Sequence, residues 1–477
     1  MTTFYIEQFG CRATQADAAA LENQLLGRGC LAAGNSASAD IVVVNTCTVT
    51  AAADSQARDA IRKIHARNPA ARVIVTGCYA QRAPEELAAL PGVSWVVGNS
   101  HKPQIPELAG GLTQAFPQPS ASGSSFIPAG ALLTSENEAF SLASSPAKIL
   151  TGDILSQTTF LAAPVLGGEG NHTRPTLKIQ DGCNSRCSYC VIPFVRGRSR
   201  SLPPDNVIAE IGSLSESGYR EIVLSGINLG AYGRDLSPRI EFDELLRRIL
   251  DQTPIERIRI SSIEPLDVTE DLIALFASTP RIAQHFHMPL QSGSDRILAA
   301  MHRWYRVEHF ARRVELIREH LQHAAIGADV IAGFPGESGD DHAATIAFIE
   351  RLPFTYLHVF SFSKRPGTRA AALSNEVPSA LIHRRARELR ALGEEKSAAF
   401  QRTQMGRPLE VLTLGHTLPA ARASPAKFSW SPAISSNYLQ VRVSGEWPPN
   451  QMMQVRVVSV GRGHLDAQPE TSRIFAV

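Results

Sequence analysis

Six of the seven cysteines in this chain of 477 residues fall into two sets of three, and the chemistry of the sequence starts from them. Cys183, Cys187 and Cys190 stand in CxxxCxxC spacing inside LKIQDGCNSRCSYCVIPFVRGRSRS (residues 177–201). LKIQ reads as a short strand, so the thiols lie on the loop that leaves it. Three ligands from one loop do not complete a four-coordinate structural zinc site, which normally gathers two pairs. They suit three irons of a [4Fe–4S] cube, with the fourth iron open to a ligand that is not protein. A zinc site borrowing a distant His or Cys, and three unrelated thiols, are the alternatives.

The second set is positional. TFYIEQFG, DIVVVNT and RVIVTG read as strands, and Cys11, Cys47 and Cys78 follow them directly. QADAAALENQLLGRG and AAADSQARDAIRKIHARNP between them are helix-compatible, stopped at Gly29 and Pro69. Alternating strands and helices imply a parallel sheet, whose carboxyl edge is where open α/β sheets bind ligands. Three thiols at that edge can converge on one point. A single strand-end cysteine is usually inert core, and Cys30, which has no such partner, reads as a structural free thiol.

The cysteine loop, with Tyr189 before its last thiol, strongly resembles that of the radical S-adenosylmethionine (SAM) enzymes. The resemblance implies that SAM chelates the open iron and is split to a 5′-deoxyadenosyl radical. FGC, NTCTVT and VTGCYAQ resemble the N-terminal domain of the methylthiotransferases of that superfamily. This implies a second, auxiliary [4Fe–4S] cluster on Cys11, Cys47 and Cys78 that presents the transferred sulfur. Many of those relatives have lysine after the first cysteine, where this chain has Arg12, which keeps the charge.

Farther on, strand and helix patterns alternate from about Pro175 to Glu376 and give six βα-like units with LKIQ, which suits a partial (β/α)6 barrel. Reactive residues belong on the loops leaving such strands. By position, Gly226, Glu264, Gln291 and Asp329 are the expected SAM contacts, Asp329 near the ribose. Arg196, Arg198 and Arg200 follow the cysteine loop and are expected to grip substrate phosphates. Residues 378–407 read as a basic helix, with Arg384, Arg385 and Arg387 as candidate RNA contacts. Strand patterns beyond it suggest a small barrel, and SSNYLQVRV resembles the TRAM domain, with Arg442 and Arg456 as candidates for backbone phosphates.

The expected architecture is therefore α/β: a parallel N-terminal domain (1–103), a low-complexity linker (104–174) with a possible short helix in ALLTSENEAFSLASS, a radical SAM core (175–376), a connecting helix (377–404) and a divergent TRAM-like barrel (405–477). Composition is that of a globular protein, 44% apolar and 19% charged, and a net charge of +2 confines any basic surface to patches. No signal peptide or bilayer-length apolar run is visible. An odd cysteine count argues against a disulfide framework, and an open cluster, which oxidants would destroy, implies a reducing, cytoplasmic compartment.

NTCTVTAAAD, LSGINLGAYG, RIRISSIEP and VFSFSKRPGT resemble the methylthiotransferase branch that acts on N6-threonylcarbamoyladenosine beside the tRNA anticodon. That implies two [4Fe–4S] clusters, SAM, the anticodon stem-loop, an electron donor of flavodoxin or ferredoxin type, a sulfur donor and no membrane. Isopentenyladenosine tRNA or a ribosomal-protein aspartate are alternative acceptors. A non-catalytic metal-binding RNA protein is the alternative of another class.

Overall fold

The structure is a computed structural model that describes residues 1–111, 147–165, 173–415 and 429–470. The first domain is a parallel six-stranded sheet of β1 (Thr3–Gln8), β2 (Leu31–Ala32), β3 (Ile41–Thr46), β4 (Arg72–Gly77), β5 (Val93–Gly98) and β6 (Lys148–Leu150), in the order β2-β1-β3-β4-β5-β6. β3 is central because IVVVNT is β-branched and fully buried on both faces. Helix Ala51–Arg67 starts where Thr50 accepts the Ala53 N–H at 3.2 Å. Cys30 is buried with Phe4, Leu21 and Ile41, a structural placement.

The boundary expected at residue 103 is too early. Helix Ile105–Gly111 puts Ile105 and Ala109 into the core of this domain, and β6 extends its sheet from beyond the low-complexity stretch. The short helix expected in residues 131–145 lies outside the described residues.

The central domain has β7 (Thr176–Lys178), the two-stranded ribbon of β8 (Gln180–Asp181) and β9 (Arg200–Ser201), then β10 (Glu221–Ser225), β11 (Arg257–Ile260), β12 (His285–Gln291), β13 (Ala325–Ala332) and β14 (Tyr356–Ser361). β7, β10 and β11 form one parallel sheet and β12, β13 and β14 another. Bridges Ile258–Ile282 and Ser262–His287 join them into one wall of six strands. β7 and β14 do not pair, so the barrel is open. Helix Val307–His320, absent from the sequence reading, completes the unit after β12 by burying Phe310, Val314 and Ile317.

Alternation sorts the strand residues. Leu224, Ile260, Phe286 and Ile326 face the helices and form the main core. The opposite, inward face is polar: Lys178, Glu221, Arg257, Arg259, His285 and His287 are all buried there. Helix Ser379–Arg402 covers the outer face of β14, where Gly393 meets Leu357.

β15 (Pro408–Thr413), β16 (Trp430–Ser435), β17 (Gln440–Ser444), β18 (Met452–Val460) and β19 (Leu465–Pro469) close a five-stranded barrel. It docks under the amino ends of the central strands. Arg259 donates to the Ser435 and Ser436 carbonyls at 2.9 and 3.0 Å and to Glu221 at 2.8 Å. Tyr438 stacks on His285 with ring centres 4.3 Å apart. The lower end of the central barrel is thus plugged, which leaves the carboxyl rim for substrates.

Candidate active site

The radical-type loop begins at Gly182, whose φ of 71° and 2.0 Å approach of a built Cβ to the Arg198 carbonyl admit only glycine. The Cys183 N–H donates to the Gly197 carbonyl at 3.1 Å, and the Cys190 N–H to the Cys187 carbonyl at 3.1 Å. These bonds fold the loop so that the three thiols share one site. Burial, and then the neighbouring thiols, push Cys190 up to about 12; burial also raises Cys187, with the Arg303 guanidinium opposing it. Binding a cationic centre would draw the proton from such thiols.

Cys11, Cys47 and Cys78 follow β1, β3 and β4, which are adjacent in the sheet, and the three also interact electrostatically. Cys47 is pushed up to about 12, first by burial and then by Cys78 and Cys11. Gly10 has φ 101°, and a Cβ there would lie 2.8 Å from the Cys47 sulfur. A glycine before Cys11 is therefore what lets the second thiol approach.

Both sets are free thiols.

The sets face one another. Val191 and Val195, just after Cys190, pack against Cys78. Two side chains that sequence reasoning missed hold individual sulfurs. Arg303 Nη1 donates to Cys187 Sγ at 3.3 Å while its other arm pairs with Glu264, and Asn99 Nδ2 donates to Cys78 Sγ at 3.6 Å and to the Val195 carbonyl at 2.7 Å. Neither stands in a motif, and only the fold brings them to the thiols.

Of the expected SAM contacts, Gly226 follows β10 with its Cα face against Leu229 and Gln180, and Glu264 lies beside the thiols through Arg303. Gln291 ends β12 with φ 64°, a conformation that costs a non-glycine residue about 1–2 kcal/mol. Asp329 is the fifth residue of β13 and keeps 23% of its side chain exposed, with its carboxylate engaged by His287 at 2.9 Å and His358 at 3.4 Å and close enough to Glu264 to add to the burial that raises that carboxyl.

The expected phosphate contacts need correction. Arg196 is buried and pairs with Asp17 and with Asp181, each at 3.0 Å. Arg200 is buried too, donating to the Thr159 and Arg196 carbonyls. Arg385 is buried on Glu337 at 2.6 Å. A buried, paired guanidinium cannot reach a phosphate, so these three are structural. Arg198, Arg384 and Arg387 are exposed. Arg442 and Arg456 lie on the small barrel, paired with Asp466 at 2.7 Å and Glu470 at 2.5 Å. A cavity of about 320 Å³ beside the loop is lined by Asn184, Ser185, Asn228 and the exposed Trp304.

An open six-stranded barrel with a three-thiol loop after its first strand is the arrangement of a radical SAM enzyme. Residues 177–349 match the radical SAM superfamily, and residues 3–98 match an uncharacterized protein family, UPF0004. The chain shares its fold with the radical SAM methyltransferase TsrM from Kitasatospora setae (TM-score 0.53, 17% identity, 78% of this chain and 77% of that one). It is 36% identical to the threonylcarbamoyladenosine tRNA methylthiotransferase MtaB of Aquifex aeolicus over 86% of this chain and 92% of that protein. It is 31% identical to the protein of that name in Bacillus subtilis over 98% and 96%. It is 34% identical to the tRNA-2-methylthio-N(6)-dimethylallyladenosine synthase of Syntrophobacter fumaroxidans over 86% and 84%. The chain belongs to the radical SAM tRNA methylthiotransferase family. It is accordingly an enzyme that transfers a methylthio group, with SAM and a [4Fe–4S] cluster as cofactors. No helix among the described residues is long and apolar enough to cross a membrane.

Proposed function

We propose that this enzyme places a methylthio group on carbon 2 of N6-threonylcarbamoyladenosine beside the anticodon of tRNA. The observation that carries the reading is the 36% identity to the Aquifex aeolicus enzyme of that name, over 92% of its length. An adenine C2–H is neither acidic nor readily displaced, so acid–base side chains alone have little purchase on it. The bound cluster and SAM supply radical chemistry equal to that bond.

The protein's own groups bind, orient and exclude water. Cys183, Cys187 and Cys190 hold the SAM-binding cluster, and Cys11, Cys47 and Cys78 hold a second [4Fe–4S] cluster for the transferred sulfur. Arg303 steadies Cys187 and turns Glu264 toward the same rim. Gly226, Glu264, Gln291 and Asp329 line the SAM side. Arg198, Arg384 and Arg387 offer unburied cations to the tRNA backbone, and Arg442 and Arg456 lie on the small barrel. An electron donor of flavodoxin or ferredoxin type and a separate sulfur donor complete the system, in the cytoplasm.

The test is mass spectrometry of tRNA nucleosides from a strain lacking the gene. Loss of the 2-methylthio derivative of threonylcarbamoyladenosine alone is the expected result. Loss of the isopentenyladenosine derivative instead would move the assignment to the other branch, to which the Syntrophobacter fumaroxidans relative belongs by name.

A further inference from the structure

The carboxyl edge of the first sheet, with Cys11, Cys47 and Cys78, lies across the gap in the central barrel. On one side, Asp17 of the helix that follows Cys11 pairs with Lys178 of β7. On the other, the Ala51 N–H donates to Ser363 Oγ at 3.1 Å, and Arg365 donates to the Thr48 carbonyl at 3.2 Å and to Asp54 at 2.8 Å. These residues stand just beyond β3 and β14. β7 and β14 are the two strands that fail to pair. Between the two anchors comes the first turn of the helix, with Arg12 directly after Cys11.

Arg12 is half-buried, and its side chain has neither a hydrogen bond nor an ion pair among the described residues. Its charge reaches the inward face of the barrel. Burial, then Arg259, His287 and Arg12, lower His285; burial, then Tyr438 and Asp329, raise Tyr356, with Arg12 opposing them. Other cations of this region are committed to carboxylates: Arg303 to Glu264, Arg82 and Arg365 to Asp54, and Arg259 to Glu221. A half-buried guanidinium suits a bidentate carboxylate, and none of the described side chains supplies one to Arg12.

The substrate proposed above carries such a group. Threonylcarbamoyladenosine differs from adenosine by an N6 substituent that ends in the threonyl carboxylate, whereas the isopentenyl substituent is apolar. On the base, N6 and C2 flank N1, so the substituent and the reacting carbon share one edge. A cation directly after Cys11 stands where that edge meets the auxiliary set.

Resting on that reading of the substrate and of the auxiliary set, we propose that Arg12 is a specificity-determining residue, whose guanidinium takes the threonyl carboxylate and selects it over the apolar isopentenyl group. A site built to pair a polar group rejects the analogue that lacks it, because its own half is then left unpaired. One such charged pair is worth about 10–100-fold.

The test uses anticodon stem-loops carrying threonylcarbamoyladenosine, its threoninamide, in which the carboxylate is a neutral amide, or isopentenyladenosine. Kd and kcat/KM are measured on the cluster-loaded enzyme, with iron content checked in every variant. Wild type is expected to favour the carboxylate over the amide by about 10–100-fold. Arg12→Lys should keep a preference and Arg12→Gln should lose it. Wild type acting alike on carboxylate and amide overturns the assignment without recourse to any variant. Arg12→Gln slowing both stem-loops by the same factor also overturns it, since a charge that only balanced a cluster would give that result. Product from wild type on the isopentenyladenosine stem-loop alone would instead reject the substrate reading, and the proposal with it.

Discussion

Arg196 Nη2 lies 3.0 Å from the Asp17 carboxylate, although 179 residues separate them in the chain. Asp17 sits on the helix that follows Cys11, and Arg196 ends the helix that follows Cys190. Lys102, at 2.8 Å, and Lys178 share the same carboxylate, while Asp181 takes Arg196 and Lys178. This buried network spans the two domains and fixes how the two sets of thiols face each other. Removing one member strands the others, which costs about 3–5 kcal/mol for a buried pair. Asp17→Asn is therefore expected to lower the unfolding midpoint and the yield of methylthiolated product together. An unchanged midpoint would remove the network from the account.

The same carboxylates set an acid limit. Burial alone would raise them, but Lys102, Lys178 and Arg196 outweigh it at Asp17, and Arg196 and Lys178 hold Asp181 at about 2. A carboxyl near 3.9 when unfolded and lower when folded stabilises above the unfolded value and loses that contribution as pH falls through the folded one. The difference in stability between wild type and Asp181→Asn, read on the cluster-free chain in urea, should be constant at neutral pH. It should shrink between about pH 4 and pH 2. A difference independent of pH across that window would contradict the pairing.

Iron should divide between the two cysteine sets. Anaerobic reconstitution is expected to give about eight irons per chain, two cubes' worth. Replacing Cys183, Cys187 and Cys190 by Ala should leave about half the iron and abolish reductive SAM cleavage. A folded variant that loses all its iron would show that the sets are not separate sites.

How much of this could be read from the sequence depends on how far apart the partners lie. CxxxCxxC is local, and a thiol placed straight after a β-branched strand needs only the parallel-sheet rule to reach the edge, so both sets were legible. Arg196 and Arg385 were misread because their carboxylates are distant, at Asp17, 179 residues away, and at Glu337, 48 residues away. A run of arginines looks solvated until the fold supplies those partners. Asn99 and Arg303 gave no signal for the same reason. β6 was missed because three residues after a low-complexity stretch carry no periodicity, and only pairing with β5 makes them a strand.

RNA affinity now rests on fewer cations. Charge reversal at Arg384 and Arg387 is expected to weaken tRNA binding and to flatten its salt dependence by about one contact per residue. Arg385→Ala should instead act on stability, since it leaves Glu337 buried without its partner. Cutting the chain at Thr403 is not a clean test of RNA binding, because it strips Arg257 and Arg259 of acceptors on the small barrel. Identical salt slopes for wild type and the Arg384, Arg387 variant would return that face to plain solvent.

The most direct measurement pairs the two cysteine sets with one substrate. The reconstituted enzyme is given SAM, reductant, a sulfur source and an anticodon stem-loop carrying threonylcarbamoyladenosine, and both 5′-deoxyadenosine and the modified nucleoside are quantified by mass spectrometry. Wild type should form both. The variant with Cys11, Cys47 and Cys78 replaced by Ala should still form 5′-deoxyadenosine while yielding no 2-methylthio product. Full product from that variant would contradict the division of labour between the two sets, and product from wild type only on an isopentenyladenosine stem-loop would contradict the substrate.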